Sequence, residues 1–176
     1  DLPQEEIHLT DLGNSRVFVQ LHGKGLRWCG AMPGTGWMVW DRCRWRADDT
    51  RFVHRLATDV PPEWIHRMPP ALPPLSEEEQ KRMDPEQVRD YLDQKKEIDA
   101  IRDAYQKHAR KCESAGALKS MVELATAHER IATRKEGWDK DIWLFNTPDY
   151  TYNPLTQTKY APRREDLITR CASVGA

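Results

Sequence analysis

The sequence predicts an α+β protein, with a small antiparallel sheet or hairpins from both ends of the chain packed with a mainly helical middle. Three observations predict it. Short aromatic-rich runs bounded by turn residues lie near both ends, at 26–46 and 142–160. Between them, residues 76–136 repeat apolar side chains at helical spacing. Six of the twelve prolines fall in 61–75 and separate the first region from the helical one. A chain of 176 residues is sized for a single domain over 1–176.

Residues 10–60 predict a helix, a three-stranded β region and a second helix. Thr10 is a good N-cap, Asp11 suits the positive end of the helix dipole, and Gly23 stands where a terminating glycine belongs. Leu12, Val17, Phe18 and Leu21 supply one apolar stripe. Strands are expected at 26–29, 37–40 and 44–46. Pro33-Gly34-Thr35-Gly36 forms the first turn and Asp41-Arg42-Cys43 a tight hairpin. Thr50 is expected to cap a helix running to about Val60.

The segment 61–75 predicts an extended, polyproline-like connector, with Trp64, Ile65 and Met68 available to pin it to a surface. In 76–136 the spacing predicts an antiparallel helical pair. Ser76 through Glu79 reads as a capping box, and Asp84-Pro85 as another helix start. Twenty of the residues 76–113 are charged, so only a narrow stripe from Val88 to Cys112 is expected to be buried. Ser114 or Gly116 breaks the run. A further helix carries Leu118, Met121, Val122, Ala125, His128 and Ile131, stopped by Gly137. Residues 138–170 return to a β-hairpin and a short helix or turn. Ile142 through Phe145 is an apolar run, Tyr150-Thr151-Tyr152 alternates, Lys159-Tyr160 can pair back, and 163–169 closes the region.

A net charge of -1 excludes a uniformly basic nucleic-acid coat, although the charge is unevenly spread. Residues 16–55 hold eight Lys/Arg against three Asp, while Asp1, Glu5, Glu6 and Asp11 make the opening acidic. No apolar run is long enough to span a membrane, and the opening residues do not resemble a signal peptide. The first residue is not Met, which suggests a piece of a longer, cytoplasmic protein. Cys29, Cys43, Cys112 and Cys171 form no C-x-x-C pair and are expected to be reduced; the alternative is a Cys29–Cys43 disulfide.

The search for catalytic chemistry is mostly negative. Pro33-Gly34-Thr35-Gly36 lacks the Lys-Ser/Thr of a phosphate loop and reads as a turn. Asp48-Asp49 and Asp139/Asp141 are the only tempting carboxylate pairs for metal-ion chemistry, and an ordinary solvated turn is the plainer reading of the second. No two histidines lie three or four apart, and no Gly-x-Ser-x-Gly elbow exists. No catalytic residue, metal or cofactor is therefore expected. The positive signal is arginine interleaved with tryptophan at Trp37, Trp40, Arg42, Arg44, Trp45 and Arg46. Cations and stacking rings are what single-stranded nucleic acid needs. The competing reading is that the rings are core and the arginines solvated. Strand alternation puts Arg44 and Arg46 on one face and Trp45 on the other. Lys24, Arg27, Arg42, Arg44 and Arg46 are the candidate DNA-binding residues.

Two stretches, 10–45 and 139–170, resemble the domain that precedes the superfamily-three helicase module in phage and plasmid primase-helicases, a family shared with poxvirus primase-helicases. The matching residues are Thr10, Asp11, Gly13, Asn14, Gly36, Trp37, Trp40, Asp41 and Trp45 at one end. At the other they are Trp143, Leu144, Asn146, Thr147, Arg164, Asp166, Ile168 and Thr169. Two turns depart from the pattern: Asp41-Arg42 stands for Asp-Gly, and Asp149-Tyr150 for Asn-Gly. The resemblance implies a non-catalytic middle module, with a primase before it and a ring ATPase after it. Those modules, DNA (single-stranded or duplex undecided) and further copies in a full-length homo-oligomer are the implied partners, with no membrane. A collar without DNA affinity of its own is the alternative. An independent nuclease or primase would need a carboxylate cluster.

Overall fold

The computed structural model describes residues 7–172. The acidic opening at Asp1, Glu5 and Glu6 lies outside the described residues. Helix α1 (Asp11–His22) starts where Thr10 caps it, the Thr10 hydroxyl accepting the Gly13 N–H at 3.1 Å. A Cβ on Gly13 would stand 1.8 Å from the His8 carbonyl oxygen, so the entering chain passes too close for any other residue. Strands β1 (Leu26–Trp28), β2 (Trp37–Trp40) and β3 (Trp45–Ala47) follow as an antiparallel sheet in that order.

The cap of the next helix differs from expectation. Asp48, not Thr50, supplies it: its carboxylate accepts the backbone N–H groups of Thr50, Phe52 and Val53 and the Thr50 hydroxyl. Burial pushes this carboxyl up, but the N–H groups of Val53, Phe52 and Thr50 and the Thr50 hydroxyl outweigh that and hold it below its ordinary value. Helix α2 (Phe52–Leu56) is short, and a 3-10 turn (Ala57–Asp59) leads into α3 (Val60–His66).

The Pro-rich connector is accordingly shorter than 61–75. Pro61 and Pro62 sit at the opening positions of α3, where a missing N–H costs nothing, and Trp64 is a fully buried core residue. Only the stretch beyond α3 is extended. It lies along the long helix Pro85–Cys112: Arg102 donates to the Pro69 carbonyl and Tyr91 to the Pro73 carbonyl.

The helical middle comprises α4 (Glu77–Arg82), α5 (Pro85–Cys112) and α6 (Ala115–Ala125). Both expected starts are capping boxes, Ser76 with Glu79 and Asp84 with Gln87, and Ser114 caps α6. Helix α6 ends at Ala125 rather than near Gly137. Ile131 is still fully buried, but from a turn, where its N–H bonds to the His128 carbonyl. The expected buried stripe from Val88 to Cys112 is not complete. Within α5 only Ala109 and Cys112, near its end, are buried; Val88, Tyr91, Ile98 and Tyr105 are half-buried, and Leu92 and Ile101 are exposed, because a helix this charged has little apolar surface to bury. Among the main helix contacts, α1 packs on α6 and α3 on α5.

The second β region is a sheet of its own: β4 (Phe145–Asn146), β5 (Thr151–Asn153) and β6 (Thr158–Tyr160), antiparallel in that order. The α+β class holds, but the two ends build two three-stranded sheets rather than one. The first sheet lies between two apolar clusters. Leu26, Trp37 and Val39 join the helical core with Phe18, Val53, Trp64 and Ile131, and Trp28 packs against it. Met38 and Trp45 meet Trp138 and Leu167 from the C-terminal segment in the second cluster.

Asn14 joins three elements in the helical core. Its side-chain oxygen accepts the Trp64 indole N–H at 2.8 Å, faces His108 Nε2 at 2.8 Å and accepts the Cys112 thiol at 3.2 Å. Burial lowers the His108 pKa, Lys111 adds to this, and Asp11 opposes it. A histidine with a lowered folded pKa binds its proton more readily when unfolded. Its contribution to stability is then complete above about pH 6.5 and lost as pH falls through that value. Urea midpoints at pH 7.5 and 5.5 should differ more for the wild-type chain than for His108→Gln; equal differences would refute the assignment.

Candidate nucleic-acid interface

The β2–β3 hairpin positions the candidate arginines. Its turn closes through the Asp41 N–H to the Arg44 carbonyl, and the Asp41 carboxylate accepts the N–H groups of Cys43 and Arg44. Arg42 occupies the tip at φ 81°, the left-handed region that glycine favours. Arg42→Gly is therefore expected to raise stability by about 0.5–1 kcal/mol, read as a higher thermal midpoint. A lower midpoint would mean the arginine side chain carries a compensating contact.

Arg42 and Arg46 are exposed and Arg44 is half-buried. Arg44 faces the Asp41 carboxylate at 3.7 Å, an ion pair of little energetic weight in water. Trp45 points the other way and is fully buried, its indole N–H donating to the Arg164 carbonyl at 2.9 Å. Strand alternation thus divides arginine from tryptophan as expected. Lys24 is exposed on the 3-10 turn after α1.

Arg27 stands apart from the others. Register pairs it with Met38 and so places it on the Trp45 face. Its guanidinium lies 5.1 Å from the Trp45 ring and donates to the Gly23 and Leu26 carbonyls. Burial lowers its pKa, Glu165 opposing and Arg164 adding to the effect. Both of these bonds leave from Nη1.

Three of the four carboxylates that suggested a metal site accept hydrogen bonds from the protein itself. Asp48 caps α2. Asp139 accepts the Thr169 N–H and hydroxyl, and Asp141 accepts the Trp143 N–H. Among the described residues no group of three His, Cys, Asp or Glu is placed to hold a metal ion. No described helix is long and apolar enough to cross a membrane.

The structure also shows a tie between the two sheets that spacing alone does not reveal. Cys43, between Arg42 and Arg44, is disulfide-bonded to Cys171. This replaces the expected alternatives, four reduced cysteines or a Cys29–Cys43 bond; Cys29 and Cys112 are free and buried. The Asn146 amide donates to the Cys43 carbonyl, and the Thr151 hydroxyl bonds Asn146 across β4 and β5. The basic turn is thereby fixed beside the second sheet. That sheet carries the exposed Phe145 beside the half-buried Tyr152, which the sequence displayed only as an apolar run and an alternation at Tyr150 and Tyr152 without marking them as functional.

A family model described as D5 N terminal like matches residues 15–175. The chain belongs to this family. It is that of the N-terminal domain of D5-like phage and poxvirus primase-helicases, a non-catalytic region of those proteins. No curated protein and no solved structure matches the chain.

In this D5 N terminal like domain most of the motif residues do structural work. Gly13 admits the His8 carbonyl and Asn14 collects three donors. Gly36, at φ 77°, would put a Cβ 2.8 Å from the Cys29 carbonyl oxygen. Trp45 bonds through its backbone N–H to Ile168 and through its indole to Arg164, so the two halves of the motif hold each other. The second turn departs from Asn-Gly without needing a glycine. Thr147 and Tyr150 close it through backbone and hydroxyl bonds around Pro148-Asp149. Trp143 is the exception among the motif tryptophans in being strongly exposed.

Proposed function

We propose that the chain is a non-catalytic module of a phage- or plasmid-type primase-helicase that contacts DNA and links the primase to the ring helicase. The observation that carries the reading is the β2–β3 hairpin. It offers Arg42, Arg44 and Arg46 to solvent on a sheet otherwise enclosed between two apolar clusters, and Lys24 adds a further exposed cation. Among the described residues no side-chain hydrogen bond or ion pair engages Arg42 or Arg46. The partners are DNA and the primase and helicase modules of the same protein, with further copies in a full-length assembly in the host cytoplasm.

Phosphate contacts make affinity fall with salt, by a log–log slope of about 0.9 per phosphate neutralised on duplex DNA. Fluorescence anisotropy of labelled DNA at several salt concentrations should show such a slope. Arg44→Ala with Arg46→Ala should weaken binding and flatten the slope by about 1–2. An unchanged slope removes these residues from the DNA face. A second reading has its own observation: α5 leaves Leu92 and Ile101 exposed on a long charged helix, as a collar meeting other subunits would. Self-association at micromolar concentration without DNA affinity would favour that reading.

A further inference from the structure

We propose that the outer face of the second sheet is a stacking platform for the unpaired bases of single-stranded nucleic acid. This deepens the DNA-contact reading and rests on it. Register places Phe145, Tyr152 and Lys159 in one cross-strand row on the same face, opposite to the row of Asn146, Thr151 and Tyr160 that turns toward the Cys43 tie. The Phe145 and Tyr152 rings meet edge to face with centroids 5.6 Å apart, which leaves ring surface open to a ligand. Phe145 is 41% exposed, and Trp143, two residues before it, is 47% exposed.

Charge selects among the possible occupants. The Lys159 ammonium sits 3.6 Å from the centroid of the Tyr150 ring, so a cation is built into the aromatic surface. An apolar protein partner covering these rings would have to bury that ammonium, which is costly without a counter-charge. A nucleic-acid strand brings a phosphate for every base. The rings take the bases, and Lys159 takes the backbone. Flat rings on a sheet face reach bases only when these are unpaired, because duplex bases are stacked on one another. The ligand is therefore single-stranded.

The test uses the full 176-residue chain and three fluorescently labelled probes of equal length: oligo-dT, the matching duplex, and an abasic oligodeoxynucleotide that keeps the phosphates and lacks the bases. Oligo-dT should bind most tightly. The abasic strand should bind at least about 5- to 150-fold more weakly, the range expected for each stacked base lost. Phe145→Ala and Tyr152→Ala should each weaken oligo-dT binding by a similar factor and leave abasic binding unchanged. Equal affinity for oligo-dT and the abasic strand overturns the platform, a result that requires no variant to fold. If the salt slope still depends on Arg44 and Arg46, the DNA-contact reading survives that failure. If none of the probes binds at low salt, both readings fall. A folded Phe145→Ala or Tyr152→Ala variant with unaltered oligo-dT affinity also overturns the platform.

Discussion

Cys171→Ser should lower stability by about 3–5 kcal/mol under non-reducing conditions, because the bond to Cys43 closes a loop across a sequence separation of 128 residues. A loop that long removes much of the freedom of the unfolded chain. The bond also ties the β2–β3 turn to the second sheet at the place where Asn146 reaches the Cys43 carbonyl. The measurement is urea unfolding of both proteins with and without dithiothreitol. The reductant should bring the wild-type midpoint down to that of the variant and leave the variant unmoved. A wild-type chain with two more titratable thiols than expected for the bond, and no response to reductant, would dismiss it. In a reducing cytoplasm the same pair would open, and the hairpin arginines would lose one of their ties to the aromatic sheet.

Asn14→Ala is the other large effect, a loss of about 2–3 kcal/mol. The change strands the Trp64 indole N–H, a His108 ring nitrogen and the Cys112 thiol around a buried gap. An unsatisfied buried donor alone costs about 1–3 kcal/mol. The sum is moderated because the Asn14 amide nitrogen has no partner among the described residues, and its removal relieves that. Asn14→Asp keeps an acceptor and should fall between the two proteins. Chemical denaturation checks both. A loss below about 1 kcal/mol for alanine would mean that α1, α3 and α5 are held by apolar packing alone.

Both predictions concern contacts between residues far apart in the chain, and here the sequence was least informative. Asn14 reads as an ordinary polar residue in the first turn of a helix. Only the packing of α3 and α5 onto α1 makes it a shared acceptor. Cys43 and Cys171 carry no spacing signature, and their pairing depends on how the C-terminal segment returns alongside Asn146. Phe145 ends an apolar run and Tyr152 belongs to an alternation at 150–152, and only the pairing of β4 with β5 puts them side by side on the outward face. Arg27 looked equivalent to Arg44 and Arg46 in a count of charges. The register puts it on the Trp45 face, where its guanidinium lies 5.1 Å from that ring.

Local rules misled in two places for different reasons. Thr50 and Asp48 are both competent caps, and the choice fell to the carboxylate because it reaches three N–H groups where a hydroxyl reaches fewer. The six prolines of 61–75 do not act alike: Pro61 and Pro62 open a helix, and only the later four lie in the extended stretch.

The sequence by itself determined where α1, α4, α5 and α6 begin, where hairpins turn and which strand residues face apart. Thr10, Ser76, Asp84 and Ser114 bond within three residues of themselves, and a pleat separates Trp45 from Arg46 in any sheet. It also determined the family, through residues matched at both ends of the chain. Tertiary structure alone decided that the ends form two sheets, that Cys43 meets Cys171, and that one aromatic row remains in solvent. Caps and turns are set by neighbours along the chain. The pairing of distant strands, cysteines and polar hubs is set by whichever packing buries the most apolar surface while leaving each donor an acceptor.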